Sequence, residues 1–406
     1  MQKSSLTRLK LSNFKLNILL EITSAINENS PTQDLIDRYE EILTQELNIG
    51  KVMIFHLTNR WGCLLSSGID PDLIETIDFK KNLLPINDIT SVTNNKLFPS
   101  FDLIIPVFHK EKALAYVLIG DIDEEQEGMS PSIKHIHFIQ TLTNIIIVAI
   151  ENKRLYKENL KQEAFKKELE LASKMQEMLI PDDAHLPQNE KLFVHGFYLP
   201  HFDVGGDYYD YIELNENEVG FCIADVSGKG ISAALLMSNF QANLRALFSA
   251  EISLSDLVKR LNKIVAKITG GDRFITLFVA KYNFKTRELE FINAGHNPPI
   301  LYNKKKSEII YLENGCVGLG MLDEIQEIHK GYLKIDPNTK ILCFTDGLIE
   351  VENEECVPFG VEHIESFIVK NKSIDLIVND LMFFLNDFRG TNILFDDISI
   401  LGLDIY

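Results

Sequence analysis

Phe221-Cys-Ile-Ala-Asp225-Val-Ser-Gly-Lys-Gly230 decides how the C-terminal half of this chain reads. An apolar strand ends on an aspartate, and a glycine-bearing turn leads into a helical stretch at 231–248. Three more segments set an acid beside a turn residue at the end of an apolar strand. They are Asp203-Val-Gly-Gly-Asp207-Tyr-Tyr-Asp210, Ile341-Leu-Cys-Phe-Thr-Asp346-Gly347-Leu348 and Leu394-Phe-Asp396-Asp397-Ile-Ser-Ile-Leu401. An aspartate closing a hydrophobic strand is half-buried by its neighbours, and burying a lone carboxylate is costly. Two carboxylates about 4 Å apart repel by ~4 kcal/mol at an effective dielectric of about 20. Four such sites converging are untenable without cations. Hard oxygen donors with no His or Cys directly beside the aspartates point to Mg²⁺ or Mn²⁺ and away from zinc.

Taken singly, each acid has a plainer reading. Asp-Gly after a strand is a common turn, and Asp before a helix is a common cap. Ser227-Gly-Lys-Gly230 lacks the GxxxxGK[ST] spacing of a nucleotide-binding loop. His296, in Asn293-Ala-Gly-His-Asn-Pro-Pro299, reads as a structural histidine in a strand-to-turn segment rather than a general base.

Around these motifs the expected strands are 192–199, 218–226, 274–283, 288–293, 340–344 and 398–403. The expected helices are 231–248, 254–268, 361–369 and 374–388. Many strands with paired helices predict two sheets covered by helices, and no 20–50-residue period repeats, which excludes a solenoid.

Upstream, residues 12–48 read as two amphipathic helices. Leu19, Ile22 and Ile26 carry the first and Leu35, Tyr39, Ile42 and Leu43 the second, with Ser30-Pro31-Thr32 breaking between them. Strand-like runs follow at 51–58 and 63–67. The segments 102–109 and 114–120 form a hairpin around polar Lys110-Glu-Lys112. The whole makes a small α+β domain over 1–150. From Ser132 to Ile180 there is no Gly or Pro, 49 residues in all, which predicts a continuous helix of ~73 Å. Within the linker 151–184, Phe165, Leu169, Ala172, Gln176 and Leu179 fall at 4-3-4-3 spacing. That is a coiled-coil seam with one polar member, and it predicts a parallel homodimer.

Composition bounds the partners. The 406 residues leave room for two or three domains. Lys+Arg 40 against Asp+Glu 59 gives a net charge of −19, which disfavours nucleic acid and anionic membrane surfaces. Five scattered cysteines without a CxxC spacing read as reduced thiols of a cytoplasmic protein. The longest purely apolar run, Ile145–Ile150, has six residues against the roughly 20 of a membrane span. The N-terminus alternates polar and apolar residues too finely for a signal peptide.

In chain order, "FDVGGDYYD", "ADVSGKGISAALLM", "RFITLF", "INAGHNPP", "FTDGLIEVEN…FG" and "DDISIL" closely resemble the SpoIIE/RsbU branch of the metal-dependent protein phosphatases, the PPM family. The resemblance covers 185–406, and the preceding "LASKMQEMLIP" resembles the regulatory helix that leads into that domain. The helix and strand order before it, with its "IIPVF…LAYVLIGD" hairpin, resembles a GAF sensor domain. The resemblance implies an αββα sandwich with a binuclear Mn²⁺ or Mg²⁺ site that removes phosphate from phosphoserine or phosphothreonine. Its metal ligands map onto Asp207, Asp225, Asp346 and Asp396, with Asp225 bridging, the Val226 carbonyl added, and catalysis resting on Asp225 and Asp207. It further implies a phosphorylated anti-sigma-factor antagonist of the STAS type as substrate, and an unknown ligand or partner for the GAF-like domain. Eukaryotic relatives commonly carry Gly-His after the bridging aspartate, where this chain has Val226-Ser227, so the acid that protonates the leaving group is unassigned. "DDIS" stands for the commoner "DDIT". Two other functions compete. A hydrolase of a small phosphoester calls for a pocket lined by Arg or Lys, which no basic motif supports. A catalytically weak scaffold would have lost ligands, and all four aspartates are present.

Overall fold

The structure is a computed structural model that describes residues 2–58, 60–70, 77–93, 95–109, 112–122, 131–201 and 204–406. The hairpin turn at 110–111 and Asp203 lie outside the described residues. The chain divides into two compact units, Met1–Glu163 and Ala164–Tyr406.

The first unit is built on an antiparallel sheet of order β2-β1-β5-β4-β3. Its strands are β1 (Ile49–Leu57), β2 (Trp61–Ser67), β3 (Thr90–Ser91), β4 (Leu103–His109) and β5 (Lys112–Ile122). Helix Gln2–Asn27 gives way at Pro31 to helix Thr32–Glu41, as the Ser-Pro-Thr break predicts. β5 shows why the hairpin reads as an unbroken apolar run. Ala115, Val117 and Ile119 join a core with Ile22, Tyr39 and Leu142, while Tyr116 and Leu118 join a second core with Phe55 and Phe101. A strand covered on both faces has no polar side to alternate with. The expected long helix spans Pro131–Glu177, 47 residues. Its Leu142, Ile146, Ile147 and Ile150 are buried in the first unit, after which Leu155, Tyr156, Leu160 and Phe165 are exposed.

The second unit has two sheets. One has the order β13-β10-β9-β8-β7, with β14 beside β10. Its strands are β7 (Tyr208–Asn215), β8 (Glu218–Val226), β9 (Ile275–Asn283), β10 (Glu288–Ala294), β13 (Gly315–Cys316) and β14 (Gly331–Lys334). The other has the order β12-β11-β15-β16-β6, from β6 (Leu192–Leu199), β11 (Ile300–Asn303), β12 (Glu308–Tyr311), β15 (Thr339–Phe344) and β16 (Ile398–Ile405). Side-chain alternation assigns the layers. Ile341 and Cys343 of β15 and Leu401 and Leu403 of β16 share a core with Phe221 and Ile223 of the first sheet. The intervening Leu342, Phe344, Ile398 and Ile400 pack instead on helices Val361–Ile368 and Ile374–Arg389. Helices Ile231–Leu247 and Leu254–Thr269 cover the first sheet through Met237, Phe240, Leu257 and Leu261. The order of layers is helix, sheet, sheet, helix, as expected. In this unit the sequence reading omits β7, β11, β12, β13 and β14. Among the described residues no helix is long and apolar enough to cross a membrane, and all five cysteines are free.

Candidate active site

The four predicted aspartates sit at strand ends that the two sheets bring to one end of the sandwich. Asp225 is the penultimate residue of β8, paired across to Thr276 of β9. Asp207 immediately precedes β7, the neighbour of β8. Asp346 opens the short helix Asp346–Ile349 after β15, and Asp396 lies two residues before β16, the neighbour of β15. The two sheets are stitched together here. Thr345 Oγ1, at the end of β15, donates to Asp207 Oδ2 at 2.8 Å and receives the Ser399 N–H of β16 at 3.0 Å.

Crowding of like charge in a buried place dominates the electrostatics. Asp207 is 2% exposed. Burial, followed by the charges of Asp225 and Asp397, holds its carboxyl well above the usual range, against the opposing hydrogen bonds from Ser399 and Thr345. Asp225 is pushed up to about 7, by burial first and then by Asp346 and Asp396, and it hydrogen-bonds Asp207. Asp346 is raised by burial and by Asp396. Among the described residues, Lys229 brings an ammonium to the cluster: its Nζ lies 3.0 Å from Asp396 Oδ2 and donates to the Phe395 carbonyl.

Three further residues hold the cluster in shape, and sequence reasoning assigns none of them a role at the site. Asp397 accepts the His201 N–H and the Gly206 N–H, each at 2.7 Å, so it pins the segment that carries Asp207. Gln176, at the end of the long helix, grips the same segment from the other side. Its Nε2 donates to Gly205 O at 2.5 Å and its Oε1 receives Gly205 N–H at 3.0 Å. Gln176 is 5% exposed. The predicted polar member of the coiled-coil seam therefore points into its own unit, because two buried backbone groups need partners there. No side chain fits at Gly205, where a Cβ would lie 2.1 Å from Asp397 Oδ2. Arg245 forms the third element: it clasps buried Asp210 with two bonds of 2.7 and 2.9 Å, tying β7 to helix Ile231–Leu247. The advance signs were the DVGGDYYD and DDIS motifs for Asp210 and Asp397 and the LASKMQEMLIP segment for Gln176; Arg245 had none.

His296 is where the plain reading puts it. Its Nδ1 meets Thr276 Oγ1 at 2.8 Å, its N–H is held by Asn293, and burial pushes its imidazole down to about 4.

The donor set fits divalent cations that prefer oxygen. Asp207, Asp225, Asp346 and Asp396 supply carboxylates, and the raised pKa values of Asp207, Asp225 and Asp346 record how poorly the cluster tolerates its own charge. A Cβ at residue 206 would lie 3.0 Å from the Val226 carbonyl oxygen and 3.5 Å from Asp225 Oδ1, so glycine at that position leaves both oxygens open on one side. As the side chains stand, no three His, Cys, Asp or Glu donors among the described residues close around a single ion. Two of the carboxylates are engaged elsewhere, Asp207 by Thr345 and Asp396 by Lys229.

Two face-to-face sheets between helix pairs, with aspartates gathered at the ends of β7, β8, β15 and β16, define a PP2C-type fold. The SiaA-PP2C domain of Pseudomonas aeruginosa shares it, with a TM-score of 0.53 at 19% identity over 61% of this chain and 99% of that domain. Residues 215–406 match the model of the family Stage II sporulation protein E (SpoIIE). Asp225, Asp346 and Asp396 fall inside the matched residues and Asp207 just upstream. The phosphoserine phosphatase RsbU of Bacillus subtilis is 32% identical over 199 residues, 48% of this chain and 56% of RsbU. Protein IcfG of Synechocystis is 24% identical over 332 residues, 74% of this chain and 51% of IcfG. The chain spans about half the length of these relatives.

Proposed function

We propose that this chain is a metal-dependent protein serine/threonine phosphatase, with a phosphatase domain at 185–406 governed by a GAF-like sensor at 1–150 through the linker 151–184. The observation that carries this reading is the half-buried carboxylate cluster at four strand ends of a SpoIIE-type domain. The name of RsbU, a phosphoserine phosphatase, supports it. Asp207, Asp225, Asp346, Asp396 and the Val226 carbonyl are the groups that would hold two Mn²⁺ or Mg²⁺ ions. Bound there, the ions supply positive charge for the phosphoryl oxygens and an activated water.

The chain's own residues prepare the site. Thr345 orients the Asp207 carboxyl through its hydroxyl, and Asp397 fixes the backbone from which Asp207 projects. His296, neutral and engaged with Thr276, ties the turn after β10 to β9 and leaves the proton of the leaving group to another donor. The expected substrate is a phosphorylated STAS-type anti-sigma-factor antagonist in the cytoplasm. With a phosphoserine protein, phosphate release should require Mn²⁺ or Mg²⁺ and vanish in excess chelator. Turnover that persists undiminished in EDTA would overturn the proposal.

A homodimer through the linker belongs to the same proposal. Phe165 is 55% exposed, Leu169 half-buried and Ala172 exposed, which leaves an apolar seam upstream of the inward-facing Gln176. Each large side chain fully buried between two helices contributes ~1.5–3 kcal/mol. Sedimentation at micromolar concentration should give a dimer, and the double variant Phe165→Asp/Leu169→Asp a monomer. A monomeric wild type removes the claim.

A further inference from the structure

The SGKG turn, set aside as a nucleotide loop, carries an ammonium that, among the described residues, is paired with the acidic cluster. Its backbone is fastened on both sides of the lysine. Gly228 and Gly230 have φ of +88° and +77°, conformations that L side chains rarely adopt. A Cβ at residue 228 would also strike Arg273 Nη1 at 2.3 Å. Arg273 donates to Ser227 O at 2.7 Å and to Ser232 Oγ at 2.8 Å, and Phe274 N–H donates to Ser227 Oγ at 2.9 Å. From this anchored turn Lys229 reaches Asp396, with its side chain 43% exposed. Its charge is also felt by Asp346 and Glu350, the other acids on that side of the cluster. A lysine head is a compact charge on a flexible stem, able to change partners without moving its backbone.

An ammonium 3.0 Å from Asp396 Oδ2 and a divalent cation on the same carboxylate repel each other. We propose that Lys229 is a movable counter-ion of the site. It neutralises Asp396 while no cation is bound there, surrenders that carboxylate to a divalent cation, and then pairs with the phosphoryl oxygens of the substrate. This rests on the metal-site reading above and adds to it a residue that meets both the metal ligand and the phosphate.

The test titrates Mn²⁺ calorimetrically into the full chain without substrate, so it does not depend on turnover. The Lys229–Asp396 pair is partly exposed, where ion pairs are worth about 0.2–1 kcal/mol. Lys229→Met should therefore bind Mn²⁺ up to about fivefold more tightly, Lys229→Arg should stay near wild type, and the gain should vanish when Asp396→Asn is added. With a phosphoserine protein at saturating Mn²⁺, Lys229→Met should raise KM about tenfold, the size of a lost charge-assisted hydrogen bond, and change kcat less. Unchanged Mn²⁺ affinity in Lys229→Met, or a gain that survives in the Asp396→Asn background, overturns the counter-ion role. An unchanged KM overturns the phosphate role. A wild type that binds Mn²⁺ and hydrolyses no phosphoprotein sinks the phosphatase proposal while leaving the titration to decide on Lys229.

Discussion

Asp225→Asn should lower Mn²⁺-dependent phosphate release at least about a thousandfold and, in chelator, raise the melting temperature of the protein. Both effects come from one cause. Losing a residue that merely orients a metal ligand typically costs 10–100-fold in affinity or activity, and Asp225 is itself proposed as a ligand. Without cations the same carboxylate is a liability, buried and facing Asp346 and Asp396, with its pKa pushed up to about 7. A group whose folded pKa is raised binds more protons folded than unfolded. The metal-free protein therefore loses stability as pH rises from the unfolded value near 4 toward 7. Even discounted for partial exposure and for coupling to Asp207, the penalty at pH 7.5 is on the order of 2 kcal/mol. That corresponds to roughly 4–8 °C for a unit of this size. The gain from Asn should shrink as pH falls toward 5, where aspartate is itself protonated in the folded state. A variant with wild-type turnover refutes the site assignment. A melting gain that is flat between pH 5 and 7.5 refutes the electrostatic account.

The clustering of the four aspartates was legible because each lies in a strand-end motif that is local in sequence. The sheets had only to bring β7, β8, β15 and β16 together, and the apolar runs of β8, β15 and β16 announced those strands. What was illegible is long-range. Asp397 serves backbone groups almost 200 positions earlier, at His201 and Gly206, and nothing adjacent to it in sequence differs from an ordinary acid in a turn. β7 escaped because Asp210 interrupts its apolar pattern, and that acid is tolerable in a strand because Arg245, one helix away, and the Tyr208 hydroxyl meet it. β11 and β12 are four residues each, too short for a period-two pattern to declare itself. Gln176 was misread for a related reason. Heptad spacing describes one stripe of a helix, but it does not say which body that stripe faces.

Gln176→Ala should weaken Mn²⁺ binding and activity together, by roughly 10–100-fold in half-saturating Mn²⁺, the range found when a support of a metal ligand is removed. Gly205, Gly206 and Asp207 form one short strap held from two sides, by Gln176 on the backbone of Gly205 and by Asp397 on the N–H of Gly206. Alanine leaves the Gly205 N–H and C=O unpaired in a buried setting, at about 1–3 kcal/mol each. The strap can recover hydrogen bonds only by moving out toward water, and Asp207 moves with it. Because the lost quantity is position rather than chemistry, excess Mn²⁺ should restore most of kcat by mass action. It would not do so for a variant that removes a ligand. Lys174→Ala, on the exposed side of the same helical end, should leave the Mn²⁺ dependence unchanged. If Gln176→Ala has wild-type half-saturation by Mn²⁺, the strap is held by Asp397 alone. If its kcat stays low at every Mn²⁺ concentration while its melting curve is normal, Gln176 acts on the reaction by some route other than the placement of Asp207. The predicted outcome lies between these two, and it would make the last turn of the long helix the point where a rotation or withdrawal of that helix changes how firmly the site holds its metal.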